Sequence, residues 1–594
     1  MKSFIKIVLG SCVGVFLAFI VFSLISLAIA SSFTASLSGG GSTEIKSNSI
    51  LSIDFSIPMP DKTNNVESNP LSLDNQTFVG VVDAVKLIKY AKTDDKIKGI
   101  YINPGSAVAV GPAAIKDLHD ALEDFKSSKK FIIAYGENLT QSGYYISSVA
   151  DKIYLNPVGD MNFKGMSISM MYFKNLLEKL NVKFNIFYVG KFKSATEPFR
   201  SDKMSPENRL QLKTFLNGMF GQICADIAKN RRMTPEAVKK VADDLLIQRP
   251  EDALSYKFVD QLAYEDEVLT DLRNKLKLKE EDKINFVSLN SYYDGTTLKK
   301  DFSASDKIVV VYAEGEINDS DSHDAVIGGK SYVKYLRKAR SDKNVKAVIL
   351  RVNSPGGSAY ASEQMWREID LIKKSGKKVI VSMGDYAASG GYYISCNADQ
   401  IFANENTITG SIGVFGMIPN LSGFFKDKLY ITLDSVKTGP NALGINTYFN
   451  MSPTEANMVQ KSVENIYHVF TKRVADGRKI PIATVDSIAQ GRIYSGKDAI
   501  KLGLVDEIGG LEDALAYTVK LTKLKDYRLI EYPETKPPLE KFLDKLSGKD
   551  KEESLVKAAV EKEIQSLAPE YISAKRLLLN NKIQARLPMV LYFN

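Results

Sequence analysis

The chain is short of the residues from which many hydrolytic and metal centres are built. Its 594 residues include three cysteines, Cys12, Cys224 and Cys396, and three histidines, His119, His323 and His468. Cysteines so widely spaced make no metal motif, and an odd number gives no disulfide framework. No histidine falls in a metal-ligand or catalytic pattern, which disfavours a zinc enzyme. A Ser-His-Asp site is left with few histidines to draw on. Charge of one sign is scarce as well. Lys and Arg number 78 against 70 Asp and Glu, a net of +8 with no long basic block. That argues for a solvated surface, at most one favouring anionic headgroups, and against nucleic acid as a partner. The length and a 44% hydrophobic content leave room for two or more cores.

One uncharged run stands out. Ile7 to Ala30 carries no ionisable side chain, and as a helix it spans about 36 Å, enough to cross a bilayer. Lys2 and Lys6 precede it, and no Lys or Arg follows until Lys46. This asymmetry predicts residues 1–6 in the cytoplasm and the rest outside. Ala28-Ile29-Ala30 resembles a signal-peptide cleavage site, but the run exceeds the usual signal core of about 7–15 residues, which favours a retained anchor over 7–30. Leu9-Gly10-Ser11-Cys12 has a loose lipoprotein-box pattern; the run continues well past Cys12, against that use.

The chain then repeats itself. Adding 248 to Gly136, Gly143, Tyr144, Tyr145, Ile146, Ser147, Ala150 and Asp151 gives Gly384, Gly391, Tyr392, Tyr393, Ile394, Ser395, Ala398 and Asp399. Ile97–Ile102 matches Val345–Leu350 at the same offset, Met204-Ser205-Pro206 matches Met451-Ser452-Pro453 at 247, and Asp252-Ala253 matches Asp498-Ala499 at 246. Similarity sustained over so long a stretch implies a duplicated domain. In the second copy Ile308–Tyr312, Ala347–Val352 and Val379–Met383 read as buried strands, and Ser358–Lys373 and Gly391–Asn397 as helices. Such alternation predicts an α/β fold with a mostly parallel sheet. The expected organisation is a linker over 31–48, an N-terminal repeat over 49–270, a connection over 271–303, a C-terminal repeat over 304–530 and a helical tail over 531–594.

Two glycine-rich turns carry chemical potential. Asn353-Ser354-Pro355-Gly356-Gly357-Ser358 follows a strand and opens a helix, where bare backbone N–H groups could hold an oxyanion. Alone it is equally an ordinary strand-to-helix turn. Ala388-Ser389-Gly390-Gly391 puts a serine at the start of a helix among small neighbours. Alone, Ser389 is equally a helix cap. A serine needs a base to become a nucleophile, and the repeat points to one. Ser389 corresponds to Gln141, so the first copy lacks the serine. Aligning Gly190 with Gly439 sets Lys193, within Gly190-Lys191-Phe192-Lys193-Ser194-Ala195-Thr196-Glu197-Pro198-Phe199, opposite Ala442, so the second copy lacks the lysine. Complementary losses imply one composite site across the two halves.

These motifs, with Thr409-Gly410-Ser411-Ile412-Gly413, resemble the signal peptide peptidase A family in its long, two-repeat form. These are serine–lysine proteases of the Clp-protease/crotonase superfamily. The resemblance covers nearly the whole chain. It implies tandem Clp/crotonase-like domains behind a transmembrane helix. It implies Ser389 as nucleophile and Lys193, rather than Lys191, as general base. It implies Gly357 and Gly390 N–H groups as the oxyanion hole, and Ser411 as the hydroxyl orienting the lysine. It further implies a homotetramer and cleaved signal peptides as substrates, at a bacterial inner membrane with the catalytic domains on the extracytoplasmic side. The chemistry calls for no cofactor and no metal. A free lysine is almost wholly protonated at pH 7, so a lysine base needs a pKa of roughly 7–8, which burial at a domain interface supplies. Two rivals are weaker: a crotonase-like acyl-CoA enzyme, opposed by the anchor and the Ser/Lys pair, and a non-catalytic membrane scaffold, opposed by retention of both residues.

Overall fold

The computed structural model describes residues 45–65, 77–105, 110–296, 304–322, 326–534 and 584–586. The expected anchor, Cys12, His323 and nearly all of the tail lie outside them. Among the described residues no helix is long and apolar enough to cross a membrane.

The first half contributes strands β1 (Ser49–Asp54), β2 (Ile97–Asn103), β3 (Phe131–Leu139), β4 (Lys152–Met161), β5 (Lys183–Val189), β6 (Gln261–Leu262) and β7 (Asn285–Ser288). The second contributes β8 (Lys307–Glu314), β9 (Glu316–Asn318), β10 (Val326–Gly328), β11 (Val345–Ser354), β12 (Gly356–Ser358), β13 (Lys378–Ala388), β14 (Gln400–Ala403), β15 (Ile408–Gly410), β16 (Val414–Asn420), β17 (Ile493–Ser495), β18 (Glu507–Ile508) and β19 (Arg528–Tyr532). The central runs, such as Ile308–Ala313 and Ala347–Val352, are buried along their whole length. Helices cover both faces of such strands, which suits parallel pairing.

The first sheet runs β6-β4-β3-β2-β1-β7, all parallel. The second repeats it as β18-β14-β13-β11-β8-β19, also parallel, with β15 and β17 branching from β13. The duplication extends to single hydrogen bonds. Asp151 accepts from Ile132 N as Asp399 does from Val379 N, and Asp260 accepts from Ile153 N as Asp506 does from Ile401 N. Each half carries a 26-residue helix, Pro206–Arg231 and Pro453–Arg478, with a serine cap and proline in its first turn.

Two stretches differ from the sequence reading. Helix Glu265–Leu276 buries Val268, Leu272 and Leu276 on the first sheet, and β7 completes that sheet beside β1. Much of 271–303 is therefore part of the first half, because its apolar positions have a core to fill. In the tail, Gln584–Arg586 form a strand, β20, rather than a helix.

A third sheet joins the halves, in the order β10-β9-β12-β20-β16-β5. Its β5 comes from the first half and pairs antiparallel with β16 of the second over seven residues, from Val189↔Val414 to Lys183↔Asn420. Elsewhere the halves meet through buried charge. Arg351 grips both carboxylate oxygens of Asp61 at 2.7–3.1 Å and donates to Ser382 Oγ and the Met383 carbonyl, both at 3.0 Å. Asp385 accepts from the Ala113 and Ala114 N–H groups, at the start of helix Pro112–Phe125, at 2.8 and 3.0 Å. Breaking a buried ion pair by removing one partner strands the other charge. Arg351→Met should therefore lose about 3–5 kcal/mol in a denaturant titration.

Candidate active site

Ser389 follows β13 and caps the start of helix Gly390–Ser395. Its backbone is held at φ 55°, ψ −113°, a conformation unfavourable for any residue with a Cβ. The bond from Ser389 N to the Gly410 carbonyl, 2.8 Å, helps hold it there. The turn points the hydroxyl away from solvent, and the side chain is fully buried.

Lys193 reaches that hydroxyl from the other half. The chain leaves β5 at Val189, turns through Gly190, and delivers a side chain that is 1% exposed. Its Nζ lies 2.8 Å from Ser389 Oγ, 3.0 Å from Ser411 Oγ and 3.1 Å from the Ser411 carbonyl. Burial pushes the amine down from 10.5 to about 7, with no acidic partner among the described residues to raise it again. Lys191, two residues away, is exposed.

The second half closes over the lysine. Residues 489–493 run between the base and the Ser411 loop. Phe192 N donates to the Gln490 carbonyl, Gly491 N to the Ile412 carbonyl and Ser411 N to the Arg492 carbonyl, at 2.7–2.8 Å. Gly491 sits at φ 76°, and a Cβ there would come within 2.6 Å of Lys193 Cβ. Gln211, from helix Pro206–Arg231, ties both sides together. Its amide donates to the Phe192 carbonyl at 3.1 Å, and its oxygen accepts from Ile493 N at 3.2 Å.

Gly357 and Gly390 frame the serine. Gly390 is the first residue of its helix, so its N–H has no acceptor within that helix. Gly357 belongs to β12, beside Ile317 of β9. A Cβ there would fall 1.9 Å from the Ile317 carbonyl, so only glycine fits. On the other side of β12 lies β20, antiparallel, with Gly357 opposite Ala585 and Gln584 facing both Ser358 and Phe415 of β16. A stretch of polypeptide thus lies as a strand between the glycine turn and β16.

Of the described histidines, neither hydrogen-bonds Ser389. His119 is buried in a stack on Tyr145 with Nε2 facing Asn230, and His468 lies in helix Pro453–Arg478. His119, Asp120 and Glu123 cluster, but the two carboxylates already face Lys116 and Lys229.

A model described as Peptidase family S49 matches residues 124–279 and 372–525, one stretch in each repeat. Protease 4 of Salmonella typhi is 35% identical over 494 residues, 82% of this chain and 78% of that one. The chain belongs to peptidase family S49. Protease 4 of Haemophilus influenzae is 37% identical over 445 residues, 74% of this chain and 72% of its own. An Enterococcus faecium protein bearing the name of signal peptide peptidase SppA is 41% identical over 203 residues, 34% of this chain and 59% of that one. This S49 peptidase is accordingly a serine protease with two S49 domains in an α/β fold.

The structure brings together Ser389, Lys193 and Ser411, with Gly390 next in the chain to Ser389 and Gly357 on the adjoining β12. Sequence reading missed Gln211 and Gly491. Both act on the backbone around the lysine, and neither stands in a motif. Gly491→Ala would drive its Cβ into Lys193, and a displacement of about 1 Å in such a centre costs about 100-fold. We expect peptide hydrolysis by Gly491→Ala to fall at least that far, while circular dichroism stays that of the parent.

Proposed function

We propose that this S49 protease is an endopeptidase working through an acyl-enzyme, with Ser389 as nucleophile and Lys193 as general base. The observation that carries this is a match of protons to partners. A neutral amine has two N–H bonds and one lone pair. Ser411 offers two acceptors, its carbonyl and its Oγ, at 3.1 and 3.0 Å. With both N–H groups used there, the lone pair is left for the Ser389 O–H at 2.8 Å. Lys193 takes the Ser389 proton as Oγ attacks a peptide carbonyl. The Gly357 and Gly390 N–H groups stabilise the oxyanion. The C–N bond then breaks, and the Lys193 ammonium returns its proton to the leaving amine. Water, deprotonated by the same lysine, attacks the ester, and the ammonium passes that proton to the departing Ser389 Oγ, so the acyl group leaves as a carboxylic acid and the serine is restored.

Substrate and setting follow from further features. β20, lying between β12 and β16, supports recognition of an extended peptide by strand addition. The uncharged run 7–30 with its flanking charges supports a single-pass anchor in a bacterial inner membrane, the catalytic domains outside. The family resemblance supports two Clp/crotonase-type domains, a homotetramer, and cleaved signal peptides and other hydrophobic peptides as substrates.

The test is labelling with a fluorophosphonate. Wild type should be modified at Ser389, and Ser389→Ala and Lys193→Ala should both lose labelling and, on the order of 10⁴-fold or more, peptide turnover. An intact wild type that reacts elsewhere or not at all would sink the assignment.

The pH dependence has a definite sign. The base works unprotonated, so kcat/KM should rise with pH through about 7 and then level. The same burial costs stability where the unfolded chain holds the amine protonated and the folded chain does not favour it. That cost is full below about pH 7 and fades as pH rises toward 10.5. Lys193→Met, apolar and of similar reach, should abolish turnover yet raise the Tm more at pH 6 than at pH 9.

A further inference from the structure

The two 26-residue helices open differently. In the second half Ser452 accepts from Glu455 N, and Glu455 reaches back to accept from Ser452 N at 2.8 Å, an ordinary reciprocal cap. One turn further on, Met458 is 55% exposed. At the offset of 247 the first half has Ser205, Asn208 and Gln211 in these places. Ser205 still accepts from Asn208 N at 3.1 Å, but Asn208 does not reach back. Glu197, four residues after Lys193, does so in its stead. It accepts from Ser205 N at 3.3 Å and from Ser205 Oγ at 2.5 Å. Asn208 is thereby released to face inward, and Glu197, Asn208 and Gln211 are 1%, 0% and 2% exposed.

These side chains form one chain of hydrogen bonds. Glu197 Oε2 accepts from Asn208 Nδ2 at 2.9 Å, and Asn208 Oδ1 accepts from Gln211 Nε2 at 3.1 Å. Gln211 then closes on the Phe192 carbonyl and on Ile493 N. An amide has a donor end and an acceptor end, and it can sit either way round. Here both ends of the chain dictate the choice. The Phe192 carbonyl can only accept and Ile493 N–H can only donate, so Gln211 fits one way. A carboxylate offers acceptors alone, so Asn208 gives its NH2 to Glu197 and its oxygen to Gln211. The groups that donate to Glu197, a backbone N–H, a hydroxyl and an amide, are all uncharged. In so buried a place a reversed amide would set donor against donor and acceptor against acceptor, which is costly.

We propose that Glu197 is a positioning residue for Lys193: through Asn208 it fixes which way Gln211 faces, and so holds the lysine loop closed against residues 489–493 of the other half. The half without the lysine carries Glu455 and Met458 where the two amides stand, and it has no loop to hold. The inference rests on Lys193 acting as the base. When Gln211 turns over or lets go, the Phe192 carbonyl and Ile493 N–H lose their partner and water can enter beside the amine. The desolvation that makes Lys193 a base is then relieved. Around the amine stand the Ser389 and Ser411 hydroxyls, the Ser411 carbonyl and backbone. Lys191 is exposed, and the Arg492 guanidinium lies over the Phe192 and Tyr494 rings. Water is therefore the one new influence on the lysine.

The rate of fluorophosphonate labelling at Ser389 is followed against pH, with kcat and KM for a peptide, in the full-length parent, Glu197→Met, Gln211→Met and the double variant. The parent's rate should rise with pH through about 7. In each single variant the midpoint should move up by about one pH unit, roughly a tenfold loss of rate at pH 6. KM should stay within about twofold, because β12 and β16 are untouched. The double variant should do no worse than Gln211→Met, because Glu197 acts through Gln211. Asn208→Leu, which cuts the chain of amides in its middle, should reproduce Glu197→Met and takes its place where that variant does not fold. A merely structural role would lower the melting temperature and leave the midpoint alone. A labelled parent whose variants keep its midpoint, or losses that add in the double variant, overturn the proposal alone. A parent that is not labelled at Ser389 takes it down together with the reading on which it rests.

Discussion

The site depends on seven residues of backbone pairing. β5 leads directly into Gly190–Lys193, and β16 leads directly out of Ser411–Gly413, so the β5–β16 ladder sets how far the lysine of one half stands from the serines of the other. A ladder does this with little latitude. A slip of one residue turns every side chain of a strand to the opposite face, and a slip of two moves its end by about 7 Å. Side-chain packing alone tolerates small shifts, whereas proton transfer between Ser389 and Lys193 needs a contact of hydrogen-bond length. The 2.8 Å separation is thus inherited from main-chain hydrogen bonds formed outside the site.

The halves treat charge in two opposite ways along their interface. At Arg351 a buried charge meets an opposite one, with Asp61 in a two-pronged grip. Around Lys193 nothing among the described residues matches the amine. Its neighbours are hydroxyls, a carbonyl and backbone, and burial is the sole influence on its protonation. A carboxylate in the same place would hold the lysine as an ammonium ion and leave it no lone pair. Gln211 reaches the lysine's own loop without altering that balance, since an amide supplies donor and acceptor but no charge.

Much of this was legible in the sequence because duplication writes each feature twice. Matches at offsets of 246 to 248 exposed the duplication, and two mismatches, Gln141 for Ser389 at 248 and Ala442 for Lys193 at 249, pointed to a composite site. The structure sets Lys193 and Ser389 in contact. What stayed hidden has no local pattern. The pairing of β5 with β16 joins strands more than 200 residues apart. Gly491 matters because of a lysine from the other half, and β7, in the stretch read as a connection, pairs with β1 more than 200 residues earlier. The strand at Gln584–Arg586 was obscured for the same reason, since its neighbours are supplied by β12 and β16 and not by its own sequence.

The degenerate positions show how a duplicated enzyme keeps one site. At the place of Ser389 the first half has Gln141, whose side-chain oxygen accepts from Lys164 N and Gly165 N at 3.3 and 2.9 Å. Gly165 is the counterpart of Gly413, whose carbonyl lies 3.4 Å from Ser389 Oγ. Gln141 therefore fills the space a nucleophile would need and repays the filling with two hydrogen bonds. The strain has gone as well. Gln141 opens its helix behind the Thr140 cap and has no positive φ, whereas Ser389 keeps one. A backbone in that conformation costs of order 1–3 kcal/mol and persists only where its surroundings impose it. Where the serine was lost the strain was lost with it, so the conformation at Ser389 belongs to the chemistry of the turn and not to the fold that both halves share.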